Sequence, residues 1–206
     1  MKTALKTHWE TIYSTKSPAE VSWTQDVPHL SLEFIRSYQL PENAPIIDVG
    51  GGDSRLVDFL LEDGYTDLTI LDISGAAIER AKARLGSEAD KVTWIEIDIL
   101  DFRPDRKYML WHDRAAFHFQ TTDHAIARYL DIVEGAVTGY AVIGTFSTSG
   151  PLKCSGLEIR QYDEESLRTA FEEHGFSSLS CRREDHVTPS GKIQNFVFCG
   201  FRKKLQ

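Results

Sequence analysis

The chain has 206 residues, of which 41% are hydrophobic and 26% are charged. This length and composition predict one globular domain over residues 1–206 with a substantial core. The formal net charge of −8 argues against nucleic acid or an anionic membrane as a partner.

The N-terminal residues and the cysteines indicate a reduced, cytoplasmic compartment. MKTALKTHWE lacks the apolar stretch of a secretory signal, and no apolar run is long enough to cross a bilayer. Cys154, Cys181 and Cys199 are odd in number and widely spaced, so we predict neither a disulfide framework nor a zinc site. We expect no bound metal.

Short apolar runs alternate with amphipathic ones from about residue 45 onward. The predicted strands are PIIDVG, DLTILDI, KVTWIEIDI, KYMLWHD and GYAVIGTFS. The predicted helices are SRLVDFLLEDG, SGAAIERAKARLG, TTDHAIARYLDIVEGA and DEESLRTAFEEHG. SSLSCRREDHV and KIQNFVFCGFRK, joined by TPSG, predict a closing hairpin. This order predicts an α/β fold with a largely parallel sheet covered on both faces.

Unusual residues follow the predicted strands, where ligands bind in open α/β sheets. Gly50, Gly51 and Gly52 come directly after the first strand. Glycine adopts positive φ and lets a ligand approach the backbone closely. Asp72, followed by Ile73, ends the second strand, where an acid can accept both hydroxyls of a ribose.

The end of the third predicted strand completes an adenosine-shaped arrangement. Asp98 can meet an adenine amino group, and Ile99 can pack on the ring. A dinucleotide fingerprint would place a glycine at Arg55, and no GK[ST] sequence of a P-loop occurs. Asp48, directly before the glycines, is a poor neighbour for a pyrophosphate and a good one for an ammonium. The pattern therefore favours S-adenosylmethionine (SAM), which carries an α-amino group and no phosphate.

DVGGGDS, LDIS and IDIL resemble motifs I, II and III of the class I SAM-dependent methyltransferases over roughly residues 44–150. Ser54 replaces the third glycine of the usual [DE]xGxGxG. The resemblance implies a three-layer Rossmann-like sandwich, with a seven-stranded, mostly parallel sheet that ends in an antiparallel hairpin. It implies a helical lid over residues 1–43, a SAM-binding core over 44–150, and the last helix and hairpin over 151–206. SAM would be the cofactor and S-adenosylhomocysteine the product.

Trp9, Tyr13 and Trp23 lie in a polar segment before the first strand. Trp9 and Tyr13 are four residues apart and share one face of a short helix. They either attach this segment to the core or form a lid whose aromatic faces contact a sulfonium. The opening is similar to that of thiopurine-methyltransferase-like enzymes and of small lysine methyltransferases, in which this segment closes over SAM.

LWHDRAAFHF ends the fourth strand, where the transferred methyl group would point. DRAA resembles the thiopurine and tellurite methyltransferases, in which Asp and Arg line the pocket. His112, which we also place at the cofactor, and His118 are candidates for a general base or for structural hydrogen bonding. Asp113 could orient a cationic acceptor, and Arg114 could bind there or fix the loop.

The loop STSGPLKCSGLEIRQYD is expected to form a wall of the acceptor pocket. Its Cys154 alone does not support arsenite methylation, which needs clustered thiols.

Three hypotheses about function follow from the sequence, in this order: methyl transfer to a small molecule, methylation of protein lysine, and SAM binding without catalysis. The partner is a small-molecule acceptor or a protein substrate, and the chain is a monomer or a homodimer.

Overall fold

The structure is a computed structural model that describes residues 2–205. The helices are α1 (Lys2–Thr15), α2 (His29–Ser37), α3 (Leu56–Glu62), α4 (Gly75–Leu85), α5 (Asp123–Ala136) and α6 (Glu164–Glu172). The strands are β1 (Ile46–Val49), β2 (Leu68–Asp72), β3 (Val92–Glu96), β4 (Tyr108–Arg114), β5 (Val137–Phe146), β6 (Lys153–Cys154), β7 (Leu157–Glu158), β8 (Phe176–Val187) and β9 (Ile193–Lys203). No helix within residues 2–205 is long and apolar enough to cross a membrane.

The main sheet has seven strands in the order β3-β2-β1-β4-β5-β9-β8. β1 to β5 pair in parallel, whereas β9 runs antiparallel to β5 and β8 antiparallel to β9. The predicted α/β fold with a closing hairpin is therefore confirmed. Strand order reverses between β1 and β4, so a crevice opens beyond their carboxyl ends.

Local sequence explains where several helices begin and end. The Ser74 hydroxyl accepts the Ala77 N–H at 3.2 Å and caps α4, which ends at Gly86 with a φ of 58°. Asp163 and Ser166 form a capping box at the start of α6. These caps orient the helices that cover the sheet.

The core lies on both faces of the sheet. One cluster packs α5 and α6 against strand residues such as Trp111 and Phe201. The other packs α2 and α3 against Ile46, Leu110 and Phe198. Because β1 and β2 are buried at every position, they form a rigid base for the residues that follow them.

The cysteine prediction is wrong in one respect. Cys181 on β8 and Cys199 on β9 are paired across the hairpin and form a disulfide, with their Cα atoms 4.1 Å apart. The two cysteines are 18 residues apart in the sequence, so their spacing alone does not indicate a pair. The predicted TPSG turn lies midway between them and could have indicated that they face each other across the hairpin. Cys154 is a free, buried thiol.

Candidate active site

The three glycines turn the chain away from β1. Gly50 has a φ of 71°, which glycine adopts without a Cβ clash. A Cβ at Gly51 would lie 2.4 Å from Asp48 Oδ2, and a Cβ at Gly52 would lie 2.6 Å from Asp72 Oδ2. Two carboxylates of the chain itself thus require the second and third glycines, a reason that the motif alone does not reveal.

A buried hydrogen-bonded chain joins Asp48, His112 and Ser31. Asp48 and His112 are neighbours in the register of β1 and β4. His112 Nδ1 lies 2.7 Å from Asp48 Oδ1, and Nε2 lies 2.9 Å from Ser31 Oγ. The three residues are 3%, 2% and 1% exposed, respectively. These contacts suit a neutral imidazole that donates from Nδ1 and accepts the serine O–H at Nε2.

The second carboxylate oxygen of Asp48 is not hydrogen-bonded in the same way as the first. Oδ2 is buried and has no hydrogen-bond partner within residues 2–205. An unpaired buried carboxylate oxygen is costly unless a donor or a cation meets it. Asp48 lines the cavity described below, so a cationic ligand there would complete its hydrogen bonding.

Asp72 is fully engaged with the backbone. Its Oδ2 accepts the Gly52 N–H at 3.0 Å and its Oδ1 accepts the Ser74 N–H at 2.8 Å. Burial raises the pKa of Asp72 to about 6; the two backbone hydrogen bonds oppose this, and the charges of Asp48 and Glu10 add to it. A carboxylate offers about four lone-pair sites, so Asp72 can still accept hydrogen bonds from a ligand.

The crevice beyond β1 and β4 holds a cavity of about 510 Å³, which is a usual size for a small-molecule site. The predicted residues that line it are Trp9, Tyr13, Trp23, Asp48, Gly50, Gly51, Asp72, Ile73, Asp98, Ile99, His112 and Arg114. Gly52, Asp113 and His118 are not among its lining residues. The cavity therefore unites the three predicted strand ends with the N-terminal segment.

Four aromatic rings cover the cavity and form what we call the aromatic lid: Trp9, Tyr13, Trp23 and Phe119. The ring centroid of Trp9 lies 6.2 Å from Tyr13, 5.6 Å from Trp23 and 5.3 Å from Phe119. Trp9 and Tyr13 are each only 9% exposed. The alternatives of core attachment and lid are thus not exclusive, since the rings pack on one another and also line the cavity.

Glu10 attaches the lid helix α1 to α4. Its Oε1 accepts the Gly75 N–H at 2.7 Å, and its Oε2 accepts the Ala76 N–H at 3.1 Å. These N–H groups open α4, where free donors and the helix dipole favour a negative charge. Lys6 on α1 also pairs with Glu96. The interaction of Glu10 joins positions 65 residues apart, and no local sequence signal indicates it.

Arg114 reaches the cavity on the same side of β4 as His112. Its Nη1 donates to the Trp23 carbonyl at 2.9 Å, and its guanidinium lies over the Phe196 ring, 4.7 Å from the centroid. Nε and Nη2 are buried without a hydrogen-bond partner in the described residues, although the residue as a whole is partly exposed. Burial lowers the pKa of Arg114 to about 10.

The prediction that Asp113 faces the acceptor is not supported by its position. Side chains alternate along a strand, so Asp113 lies on the opposite face of β4 from His112 and Arg114. Its Oδ1 accepts the N–H groups of Ala116 and Phe117 at 2.9 and 3.1 Å, and Tyr129 donates its hydroxyl to Oδ2 at 2.5 Å. Asp113 instead fixes the turn after β4.

His118 is also placed away from the cavity. It is fully buried, its Nδ1 accepts the Phe146 N–H at 3.3 Å, and its ring contacts Phe119 and Phe146. Burial, with a contribution from the positive charge of Arg114, lowers the pKa of His118 to about 3. A group with this pKa and position is a core histidine, so the prediction of a general base fails here.

The loop after β5 contributes one predicted residue to the cavity wall. Cys154, at the end of β6, lines the cavity, and burial raises the pKa of its thiol to about 12. Cys154 is therefore a neutral thiol at physiological pH. No group of three or more potential metal ligands occurs within residues 2–205.

Residues 46–137 match the family described as Methyltransferase domain. The match spans β1 to the first residue of β5 and so contains all three strand-end motifs. The chain therefore contains a methyltransferase domain, and together with the strand-end motifs this match supports membership of the class I SAM-dependent methyltransferase superfamily.

Two curated relatives are eEF1A lysine and N-terminal methyltransferases. The methyltransferase is 26% identical to the Mus musculus protein over 118 residues and 23% identical to the Bos taurus protein over 117 residues. The matched part is 56% of this chain and 16% of each relative, so the alignment concerns a small section of much longer proteins.

Solved structures have the same fold. The 1,6-didemethyltoxoflavin-N1-methyltransferase of Burkholderia thailandensis superposes with a TM-score of 0.76 at 15% identity, over 98% of this chain and 88% of that one. The magnesium protoporphyrin IX methyltransferase of Synechocystis superposes with a TM-score of 0.70 at 16% identity, over 98% and 97% of the two chains. These likenesses concern the fold, and the first was crystallised with S-adenosylhomocysteine and the second with SAM.

Proposed function

We propose that this methyltransferase transfers the methyl group of SAM to a small-molecule acceptor. The aromatic lid is the observation that carries the proposal. Trp9 and Tyr13 are nearly buried and cover a cavity of about 510 Å³. A small acceptor can be enclosed beneath such a lid, which excludes water and aligns the reacting groups.

The residues of the cavity fit SAM in charge and shape. The unpartnered Oδ2 of Asp48 suits the α-ammonium group, and the free lone pairs of Asp72 suit the ribose hydroxyls. Ile73 and Ile99 offer apolar contact for an adenine ring, and Asp98 offers an acceptor for its amino group. The rings of the aromatic lid suit a sulfonium cation.

SAM supplies a methyl group on a positively charged sulfur; the acceptor's lone pair forms the new bond as the carbon–sulfur bond breaks, and S-adenosylhomocysteine leaves. The acceptor loses its proton to bulk water before it enters the closed cavity, because both nitrogens of His112 are engaged and His118 lies outside the cavity. This arrangement favours acceptors that ionise before attack, such as thiols. The enzyme's contribution is then alignment and exclusion of water.

Methylation of protein lysine is a second candidate. It is favoured by the similarity to the eEF1A lysine and N-terminal methyltransferases and by the net charge of −8, which suits a basic target. A lysine acceptor would need to enter beneath the lid and to lose its proton first.

Methyl-labelled SAM distinguishes the two candidates. The enzyme is incubated with fractions of a cell extract separated by size, and label is followed in small molecules and in polypeptides. Label in the low-molecular-weight fraction supports the proposal, whereas label confined to one polypeptide supports lysine methylation. Asp72→Ala is the inactive control, and calorimetry with SAM establishes that the wild-type enzyme binds its cofactor.

A further inference from the structure

We propose that Arg114 is the carboxylate-binding residue of the cavity, and that the methyl acceptor is a small carboxylic acid whose carboxylate it holds. This inference rests on the proposed function and specifies the substrate class. SAM also carries a carboxylate, in its methionine part, so the experiment below separates the two sources.

The free edge of Arg114 has the shape of a carboxylate site. Nε and Nη2, which are the unpartnered atoms, lie along one edge of the planar guanidinium. Three other arginines use this same pair of atoms to bind a carboxylate with two parallel hydrogen bonds. These pairs are Arg36 with Asp63, Arg84 with Asp58, and Arg183 with Glu164, at N–O distances of 2.7 to 3.0 Å.

The rest of the guanidinium is held in place. Nη1 is fixed by the Trp23 carbonyl, and one face of the group packs on Phe196. Because its third nitrogen and one face are held, the guanidinium is preorganised, and Arg114 loses little side-chain entropy when a carboxylate binds its free edge. Arg114 lines the cavity, so its guanidinium belongs to the wall against which a ligand would bind.

Acidic groups lie near Arg114, but within residues 2–205 none of them forms a salt bridge or a hydrogen bond with its guanidinium. Its electrostatic partners are Glu184, Cys154 and Asp48. Glu184 accepts a hydrogen bond from Gln25 at 3.4 Å, the Cys154 thiol is neutral at physiological pH, and Asp48 is bound to His112. A buried cation without a paired anion is costly, and an anionic ligand would relieve that cost.

Arg114 lies on the side of β4 away from the adenosine-binding strand ends, where either the acceptor or the methionine end of SAM could present a carboxylate. Its contacts come from the aromatic lid and from β9, and Glu184 lies on β8, on the side of β4 away from β2 and β3. Asp72 and Asp98 stand at the ends of those opposite strands. The guanidinium would also repel a cationic lysine, so Arg114 favours an acidic small molecule over a protein lysine.

The test uses Arg114→Met, which removes the charge, and Arg114→Lys, which keeps the charge without the fork. Arg36→Met is the matched control, since Arg36 forms the same bidentate pair at the surface. The acceptors are thiols, alcohols and amines, each offered as a free acid and as its methyl ester. 3-Mercaptopropionate and its ester form one such pair.

We expect the wild-type enzyme to methylate the acid with a kcat/KM about 10- to 100-fold above that of the ester. Arg114→Met should abolish this preference through a higher KM for the acid, and Arg114→Lys should reduce it partly. Affinity for SAM should stay within about twofold in both variants, as should the acid preference in Arg36→Met. Thermal unfolding checks that the variants are folded.

Several results would overturn the acceptor assignment. One is equal activity on acids and esters, and another is the failure of any acid to bind the wild-type complex with S-adenosylhomocysteine. If Arg114→Met weakens SAM but not decarboxylated SAM, the carboxylate belongs to SAM. If the wild-type enzyme binds SAM but labels only a polypeptide, the proposed function is wrong. Calorimetry with SAM distinguishes this result from a failure of the acceptor assignment alone.

Discussion

The two sides of the cavity satisfy their polar groups in different ways. On the side of β1, β2 and β3, the carboxylates are largely held by the chain: Asp48 bonds to His112 through Oδ1 and leaves only its Oδ2 unpartnered, and both oxygens of Asp72 accept backbone N–H groups. On the side of the aromatic lid, two nitrogens of Arg114 have none. A side held by its own hydrogen bonds is shaped before any ligand arrives, whereas an unpaired group indicates what the ligand must supply.

Removing Asp72 should have the largest effect, because it lies on the preformed side. Asp72→Ala deletes the acceptor for two ribose hydroxyls and frees the Gly52 and Ser74 N–H groups. Affinity for SAM should fall by about 100-fold or more, since hydrogen bonds to a charged group contribute roughly 1.5–3 kcal/mol each. Calorimetric titration measures this, with Asp63→Ala at the surface as the control. Binding within about threefold of wild type would refute a role for Asp72 in the site.

Asp48→Asn should sharpen the comparison, because it changes one charge and keeps the shape. The α-ammonium group of SAM would lose its anionic partner, and affinity should fall about 10- to 100-fold. 5′-Methylthioadenosine, which lacks that ammonium group, should bind both proteins within about threefold. Calorimetry with the two ligands separates the cases, since an equal loss for both would mean that Asp48 supports the glycine turn only.

The same contrast explains how far the sequence predicts this molecule. Gly50, Asp72 and Asp98 lie at the carboxyl ends of three strands. The alternation of apolar and amphipathic runs predicts that these strands pair in parallel, so the sequence predicts that the three residues lie close together. Ser31 and Glu10 reach the site through contacts 81 and 65 residues along the chain, which no local pattern encodes.

Errors in the predicted site arose where orientation decides the role of a residue. Asp113 and Arg114 are adjacent in the sequence, yet the alternation of β4 places them on opposite faces. The orientation of His118 also decides its role. Its position in the sequence near the end of β4 suggested a general base, whereas its ring packs against Phe146 in the core.

Affinity for SAM should depend on pH through Asp72. Its pKa is raised to about 6 by burial, and a ribose hydroxyl is accepted best by the ionised form. Affinity should therefore rise about tenfold between pH 5 and pH 7 in the wild type and stay flat in Asp72→Asn. Calorimetry across this range measures both, and a parallel rise in the variant would assign the dependence to another group.

The free protein should show the opposite trend in stability. A carboxyl whose folded pKa is raised contributes stability below its unfolded pKa of 3.8, and that contribution is lost as pH rises through about 6. Relative to Asp72→Asn, the wild type should lose about 2 kcal/mol of unfolding free energy between pH 4 and pH 7. Denaturant titrations of the two proteins give this difference, and the comparison cancels the similar titration of Asp113.

The smallest effect concerns the attachment of the lid. Glu10→Gln keeps the shape of the side chain but removes the charge at the start of α4, a loss of about 1 kcal/mol. α1 should then detach more often, and SAM should dissociate about fivefold faster. Stopped-flow fluorescence of Trp9 and Trp23 follows the release directly. Glu20→Gln is the control, because Glu20 bonds to Ser17 nearby. An unchanged rate would mean that ring packing alone holds the lid, and that the preformed side of the cavity controls release.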